Sequence, residues 1–197
     1  MKLRSLISKR SGRIVIAAVP VAVVATVMMA GVAQGAVPVS FDISGSQFQI
    51  AATQLNGIGF SQYAGVATDT AGHQHNVAIA NIDSASLTNL CQSVVTNTPL
   101  GKVGLLITAG GGGKPATATN LQIGMTDLKG DSTFGNIRIG VDASTVNTNA
   151  KGTPGDFAQD SSTIKITGLQ QTSWSTQASV FNLTGMHVQV TDGTSCF

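Results

Sequence analysis

From Phe41 to the C-terminus the apolar side chains recur at every second position, and this pattern constrains the chain more than any other. Phe48, Ile50 and Ala52; Val77 and Ile79; Val103, Leu105 and Ile107; Leu121, Ile123 and Met125; Ile137, Ile139 and Val141; Ile164 and Ile166; and Met186, Val188 and Val190 all follow it. Successive side chains of a strand point to opposite faces, so each run reads as a strand with one buried face. Only SLTNLCQSVV, Ser86 to Val95, admits a short helical turn, around Cys91. Composition agrees. All nine acidic residues are Asp, a turn former, and none is Glu, a helix former.

Turn signals separate the runs: NGIG at 56–59, TAGHQHN at 70–76, GGGGKP at 110–115, LKGD at 128–131 and AKGTPGD at 150–156. A weak echo runs through QIAATQL, VAIANID, LQIGMTDL, IKITGL and FNLTGM, in which an alternating apolar pair is followed by another apolar residue two or three places on. A strand that bends at a small residue and continues suits a solenoid corner or a bulged strand. The echo keeps no constant period, unlike a strict repeat. The expectation is a single all-β domain over residues 37–197, solenoid-like or built on a curved and bulged sheet, with a two-sheet β-sandwich as the alternative.

Residues 1–36 read differently. Lys2, Arg4, Lys9, Arg10 and Arg13 precede the uncharged apolar stretch Ile14–Ala33, followed by small residues. This is the pattern of a secretory signal, forming an N-terminal apolar helix and cleaved after Ala33, Gly35 or Ala36. At about 20 residues the stretch is also long enough to remain as a membrane anchor. Without it six basic residues face nine acidic ones. The basic character therefore belongs to the targeting segment, and no nucleic-acid partner is implied. The expected location is outside the cell or on the outer face of the cytoplasmic membrane. In that setting Cys91 and Cys196, the only two cysteines, read as one disulfide tying the tail to the body.

The motifs that carry chemistry are incomplete. LLITAGGGGKPAT, residues 105–117, has Thr108 where a phosphate loop needs its first glycine, and Pro115 where it needs Ser or Thr, so no nucleotide is expected. The nearest match to the nucleophile elbow, GFSQY at 59–63, has Tyr63 in place of the second glycine. GDST at 130–133 offers Ser132, and His187 is the only late histidine, which makes a serine triad arithmetically possible without a supporting pattern. His73 and His75 would share a face of an extended segment near Asp69 or Asp83, but a further ligand at fixed spacing is missing. Asp156 and Asp160 form a close carboxylate pair that follows a Pro-Gly turn. NLT at 182–184 fits a glycosylation acceptor. Trp174 and Tyr63 read as packed against a sheet, and the seven phenylalanines as core. No catalytic, cofactor-binding or metal-ligating residue is assigned.

SLTNLCQSVV (86–95), LLITAGGGGKPATATNLQI (105–123), STFGNIRIGVDAS (132–144), PGDFAQDSSTIKI (154–166) and QQTSWSTQASVFNLTGMHV (171–188), behind a basic signal sequence, resemble a family of actinobacterial secreted proteins of uncharacterised function. Many of its members carry the automatic label "cholesterol esterase". The resemblance covers nearly the whole mature chain, implies an envelope-associated membrane partner and transfers no catalytic residue.

The expected function is that of an exported, non-enzymatic envelope or surface protein that acts by binding or assembly. The alternative is a lipid-active protein, either a lipid or sterol carrier or the esterase of that label. A carrier would need an apolar cavity lined by strand residues such as Ile123, Met125, Ile137 and Ile139. Exposed edges in a β protein of low charge favour self-association, although the sequence does not locate the edge.

Overall fold

The computed structural model describes residues 42–197; the expected signal or anchor over residues 1–36, with its apolar stretch Ile14–Ala33, and Phe41 lie outside the described residues. The strands are β1 (Asp42–Ile43), β2 (Phe48–Asp69), β3 (Gln74–Thr88), β4 (Leu90–Thr98), β5 (Gly101–Ala109), β6 (Ala116–Gly135), β7 (Arg138–Asp142), β8 (Phe157–Gln177), β9 (Val180–Asn182) and β10 (His187–Thr191). A short 3-10 turn, Ala143–Thr145, follows β7. The domain is all-β, as the alternation requires.

The curved, bulged sheet that was expected goes as far as closure. β2, β3, β6 and β8 pair antiparallel in that order, and β8 pairs back onto β2. Following the partners once round from Ala64, through Ala78, Met125 and Ser173, returns to β2 at Phe48, sixteen residues earlier. So large a stagger tilts the strands strongly, which is why β2, β6 and β8 run to 22, 20 and 21 residues. All ten strands belong to one sheet, so the arrangement is neither a stack of solenoid coils nor a two-sheet sandwich.

Two rows of kinks cross this barrel. In one, the ladders skip Thr53, Asn89 and Gly168, which face one another; in the other they skip Gly59, Asp83, Asn120, Ser162 and Asn136. Asn89, Asn120 and Asn136 have φ of 50°, 47° and 53°, and Gly59 and Gly168 have 65°. Each kink slips the inward face by one residue. Ile50, Ala52, Leu55 and Phe60 in β2 are all buried, as are Ala80, Ile82, Ala85, Leu87 and Leu90 across β3 and β4. The echo in the sequence is the trace of these rows.

Three local expectations are corrected. Ser86 to Val95 is extended, not helical, and Asn89 merely kinks it between β3 and β4. NGIG and LKGD lie inside β2 and β6, because their glycines bend the strand without reversing it. Phe60 is buried and its ring lies 5.5 Å from that of Phe134, but Phe157 and Phe197 are exposed. One apolar core fills the barrel. A second, smaller one packs Tyr63, Val77 and Ile79 under Ala143 and Val146 of the segment joining β7 to β8.

Candidate functional site

β4 pairs with β2 only at Cys91, Gln92 and Ser93; beyond them it pairs with β5 alone, and β10 lies along the far side of β5. The three strands form an arm that leaves the barrel. Its hairpin turns at Pro99 and Leu100, and Leu100 is fully exposed.

The C-terminal tail covers one face of the arm. The Cys91 and Cys196 sulfurs are at disulfide distance, with Cα atoms 5.9 Å apart. The backbone N–H of Cys196 donates to the buried hydroxyl of Ser93 at 3.0 Å. Close approach needs Gly104: a Cβ there would lie 2.4 Å from Thr191 Oγ1 and 3.3 Å from the Gly193 Cα.

The other face is aliphatic and, among the described residues, uncovered. Val94 and Val190 both stand opposite Leu105, and Val188 stands opposite Ile107, so with Val103 these six side chains share a face. Val103, Leu105 and Val188 are exposed, and Val190 is 77% exposed. β4, β5 and β10 place no charged residue on this face. The exposed apolar area is of the order of 300 Å², comparable to the largest apolar patch on a typical soluble monomer, which is often functional. Period two had assigned Val103, Leu105, Ile107, Val188 and Val190 to strands with a buried face; among the described residues that face has no cover.

The residues singled out for chemistry are bound into the fold. The GGGGKP loop is an insertion where β5 hands over to β6 along β3 and β4, between the pairs Leu90–Ala109 and Leu87–Ala116. Gly110 has φ of 73°, and a Cβ there would meet the Leu87 carbonyl oxygen at 2.6 Å. Ser132 lies on β6 opposite Ile166, whereas His187 lies on β10 opposite Thr108, and these strands do not pair.

The structure does bring Asp69, His73 and His75 together, at the β2–β3 turn. Asp69 Oδ1 accepts the N–H groups of Ala71 and His73, each at 2.9 Å, and Oδ2 lies 3.0 Å from His73 Nδ1 and 3.2 Å from His75 Nε2. The His73 backbone N–H, with the two imidazoles and the Ala71 N–H, holds the Asp69 carboxyl well below its ordinary range. His75 stacks on Trp174 with ring centroids 3.8 Å apart. Among the described residues no group of three or more His, Cys, Asp or Glu has the geometry to hold a metal ion.

Asp156 and Asp160 do not flank a cleft. Asp160 is fully buried and ion-paired with Arg138, whose Nε donates to Oδ1 at 2.9 Å, while the Asn147 N–H donates to Oδ2 at 2.7 Å. The Arg138 guanidinium is the main reason its carboxyl is lowered. Asp142 is lowered by the Ser144 hydroxyl and N–H and by the Gly155 N–H, which fix the segment closing the second core. Asn182 ends β9 with its amide on Thr117 Oγ1, and the Tyr63 hydroxyl donates to the Lys151 carbonyl.

Sequence reasoning missed a polar chain that runs from buried Thr148, Ser61 and Asn81 out to the surface. The Thr148 and Ser61 hydroxyls are 2.6 Å apart, Asn81 donates to Ser61, Gln122 to Asn81 and Gln177 to Gln122. Its members lie on four strands and the segment that joins β7 to β8, so no local spacing announces it.

Two concavities bear on the lipid alternative. Inside the barrel, between residues such as Leu55, Leu121 and Leu169, the open volume is about 10 Å³. A groove of about 670 Å³ lies open across the barrel wall, with Ser84, Thr117, Thr119, Thr133 and Thr163 around Ile58. Ile123 and Met125 are packed into the core, while Ile137 and Ile139 are exposed.

Comparison with protein-family models matches residues 44–197 to a family of unknown function (DUF6230). No curated protein and no solved structure matches the chain.

Proposed function

The chain belongs to this family of unknown function, and from its structure we propose that it is an exported, non-enzymatic protein of the cell envelope or surface that works by assembly through the aliphatic face of the β4–β5–β10 arm. The observation that carries the reading is that face: Val103, Leu105, Val188 and Val190 are solvent-exposed on an arm whose opposite face is clamped by the tail and the Cys91–Cys196 pair. Rigid presentation lowers the entropy cost of binding there. The basic residues ahead of Ile14–Ala33 support export. The engagement of Asp69, Asp142 and Asp160 in structural hydrogen bonds supports a non-enzymatic role.

The lipid-active alternative has less support. An interior void of about 10 Å³ cannot hold an acyl chain, and the groove of about 670 Å³, although mostly apolar in its lining, is open to solvent. Ser132 and His187, which the esterase reading would need, lie on strands that do not pair. The test is to express the full chain in its own host with Val103→Ser and Leu105→Ser together, and to size the cross-linked species from envelope and medium. Wild type is expected in species larger than a monomer that the double replacement disperses. Monomer alone in the wild type, or the same assembly from both proteins, contradicts the proposal.

A further inference from the structure

Building on the arm as an assembly surface, we propose that the partner at its free edge is a second copy of this chain, joined through antiparallel pairing of β10 with β10 about a two-fold axis at Gln189, so that two arms present one doubled aliphatic face. Three observations point there.

The first is the availability of the edge. β10 ends the strand order and, among the described residues, pairs only with β5. A free edge offers a row of unpaired N–H and C=O groups to another strand.

The second is the contrast with β7, the strand at the other end of that order. β7 begins at Arg138, is bulged between Ile139 and Val141 at Gly140, whose φ is 82°, and ends at Asp142. A charge, a bulge and a second charge are the devices by which sheets protect their edges. β10 has none of them: its five residues run in unbroken register with β5 and contain no Lys, Arg, Asp or Pro.

The third is self-complementarity. The sequence His187-Val188-Gln189-Val190-Thr191 reads nearly the same in both directions about Gln189. An antiparallel pair centred there sets Val188 against Val190 of the partner subunit, and His187 against Thr191 of the partner subunit, so no like charges meet. A two-fold interface requires such a self-complementary patch. The two valine pairs then join the aliphatic faces of both arms into one, and cross-strand aliphatic contacts stabilise the pairing. Val190, at 77% the most exposed of the aliphatic residues on this face, becomes the most covered.

Sedimentation velocity on the chain as its host processes it tests this. The expected result is a dimer in the wild type and, in Val190→Lys, a monomer that still unfolds cooperatively, because the position is on the surface and only the stabilisation from dimerisation is lost. Ile139→Lys, an equally exposed position on β7, leaves the dimer intact. Gln189→Cys reports on geometry: treated with diamide, which takes up the two electrons and two protons, the two thiols at the axis form an interchain disulfide that reductant reverses. A monomeric wild type at about 100 μM, a dimer that survives Val190→Lys, or no interchain bond from Gln189→Cys overturns the inference. If Val103→Ser with Leu105→Ser still disperses the native assembly in those cases, the arm remains the working surface and its partner is a different protein. If that replacement has no effect, the underlying reading fails first.

Discussion

Three asparagines adopt a backbone conformation that side chains normally avoid: Asn89, Asn120 and Asn136 are the only non-glycine residues with positive φ among the described residues. Asn tolerates this region because its short amide finds partners nearby, and each here does, on Thr53, Ser179 and Ser162. Where a kink must fall inside a strand, these residues and Gly59 and Gly168 supply it. At the same scale Asp160 fastens β7 and the following segment to β8. Asp160→Ala is expected to destabilise the domain by about 2 kcal/mol, because it removes the acceptor of the Asn147 N–H and the partner of Arg138; chemical denaturation checks it. The Asp69, Asp142 and Asp160 carboxyls are all lowered in the folded state. Their stabilisation is complete above the unfolded-state value near pH 4 and is lost as the pH falls below it, so acid denaturation should begin under about pH 4. Asp160 was visible in the sequence only as half of a carboxylate pair with Asp156. Its true partner, Arg138, lies on another strand, and no local spacing links them.

Among the elements, the long strands were the most legible and their kinks the least. Alternation at Ile50, Ala52, Ile79, Ile123, Ile164 and Ile166 located the strands because each repeats period two over a buried face. The glycines of NGIG and LKGD read as turns because a positive φ serves a reversal and a bulge equally well, and only the partner strand distinguishes them. The repeated apolar spacing of two and then three residues was present in the sequence, but its meaning required knowing that Thr53, Asn89 and Gly168 lie in one row. The arm makes its own prediction. Cys91 and Cys196 are separated by 105 residues, and Cys196→Ser with Cys91→Ser should cost up to about 4.7 kcal/mol from the loop-closure entropy of the unfolded chain. Hydrogen exchange should show the tail and β10 losing protection first, since the Ser93–Cys196 hydrogen bond and the close passage at Gly104 depend on the tether.

For the molecule as a whole, polarity separates the inside of the described barrel from its outside. Its interior is apolar and its outward positions carry Ser, Thr, Asn and Lys, as along Asn56, Ser86, Thr117, Thr133 and Lys165. Barrels that span membranes by their strands have the reverse arrangement, apolar outside and polar within. Exposed apolar residues also stand elsewhere, Ile58, Ile139 and Phe157 among them, but the arm gathers Val103, Leu105, Val188 and Val190 on one face, and that grouping is the basis of the functional account. The sequence placed Val103, Leu105, Val188 and Val190 on strands, but whether a second layer covers them is a property of the whole fold. Hydroxyl-radical footprinting of those four side chains, on the protein in its native cells and on the purified monomer, tests the central claim most directly. The account predicts several-fold protection in the cells at all four positions, with Ile58 and Ile139 labelled equally in both states. Equal labelling of the arm in cells and in the isolated monomer would contradict it.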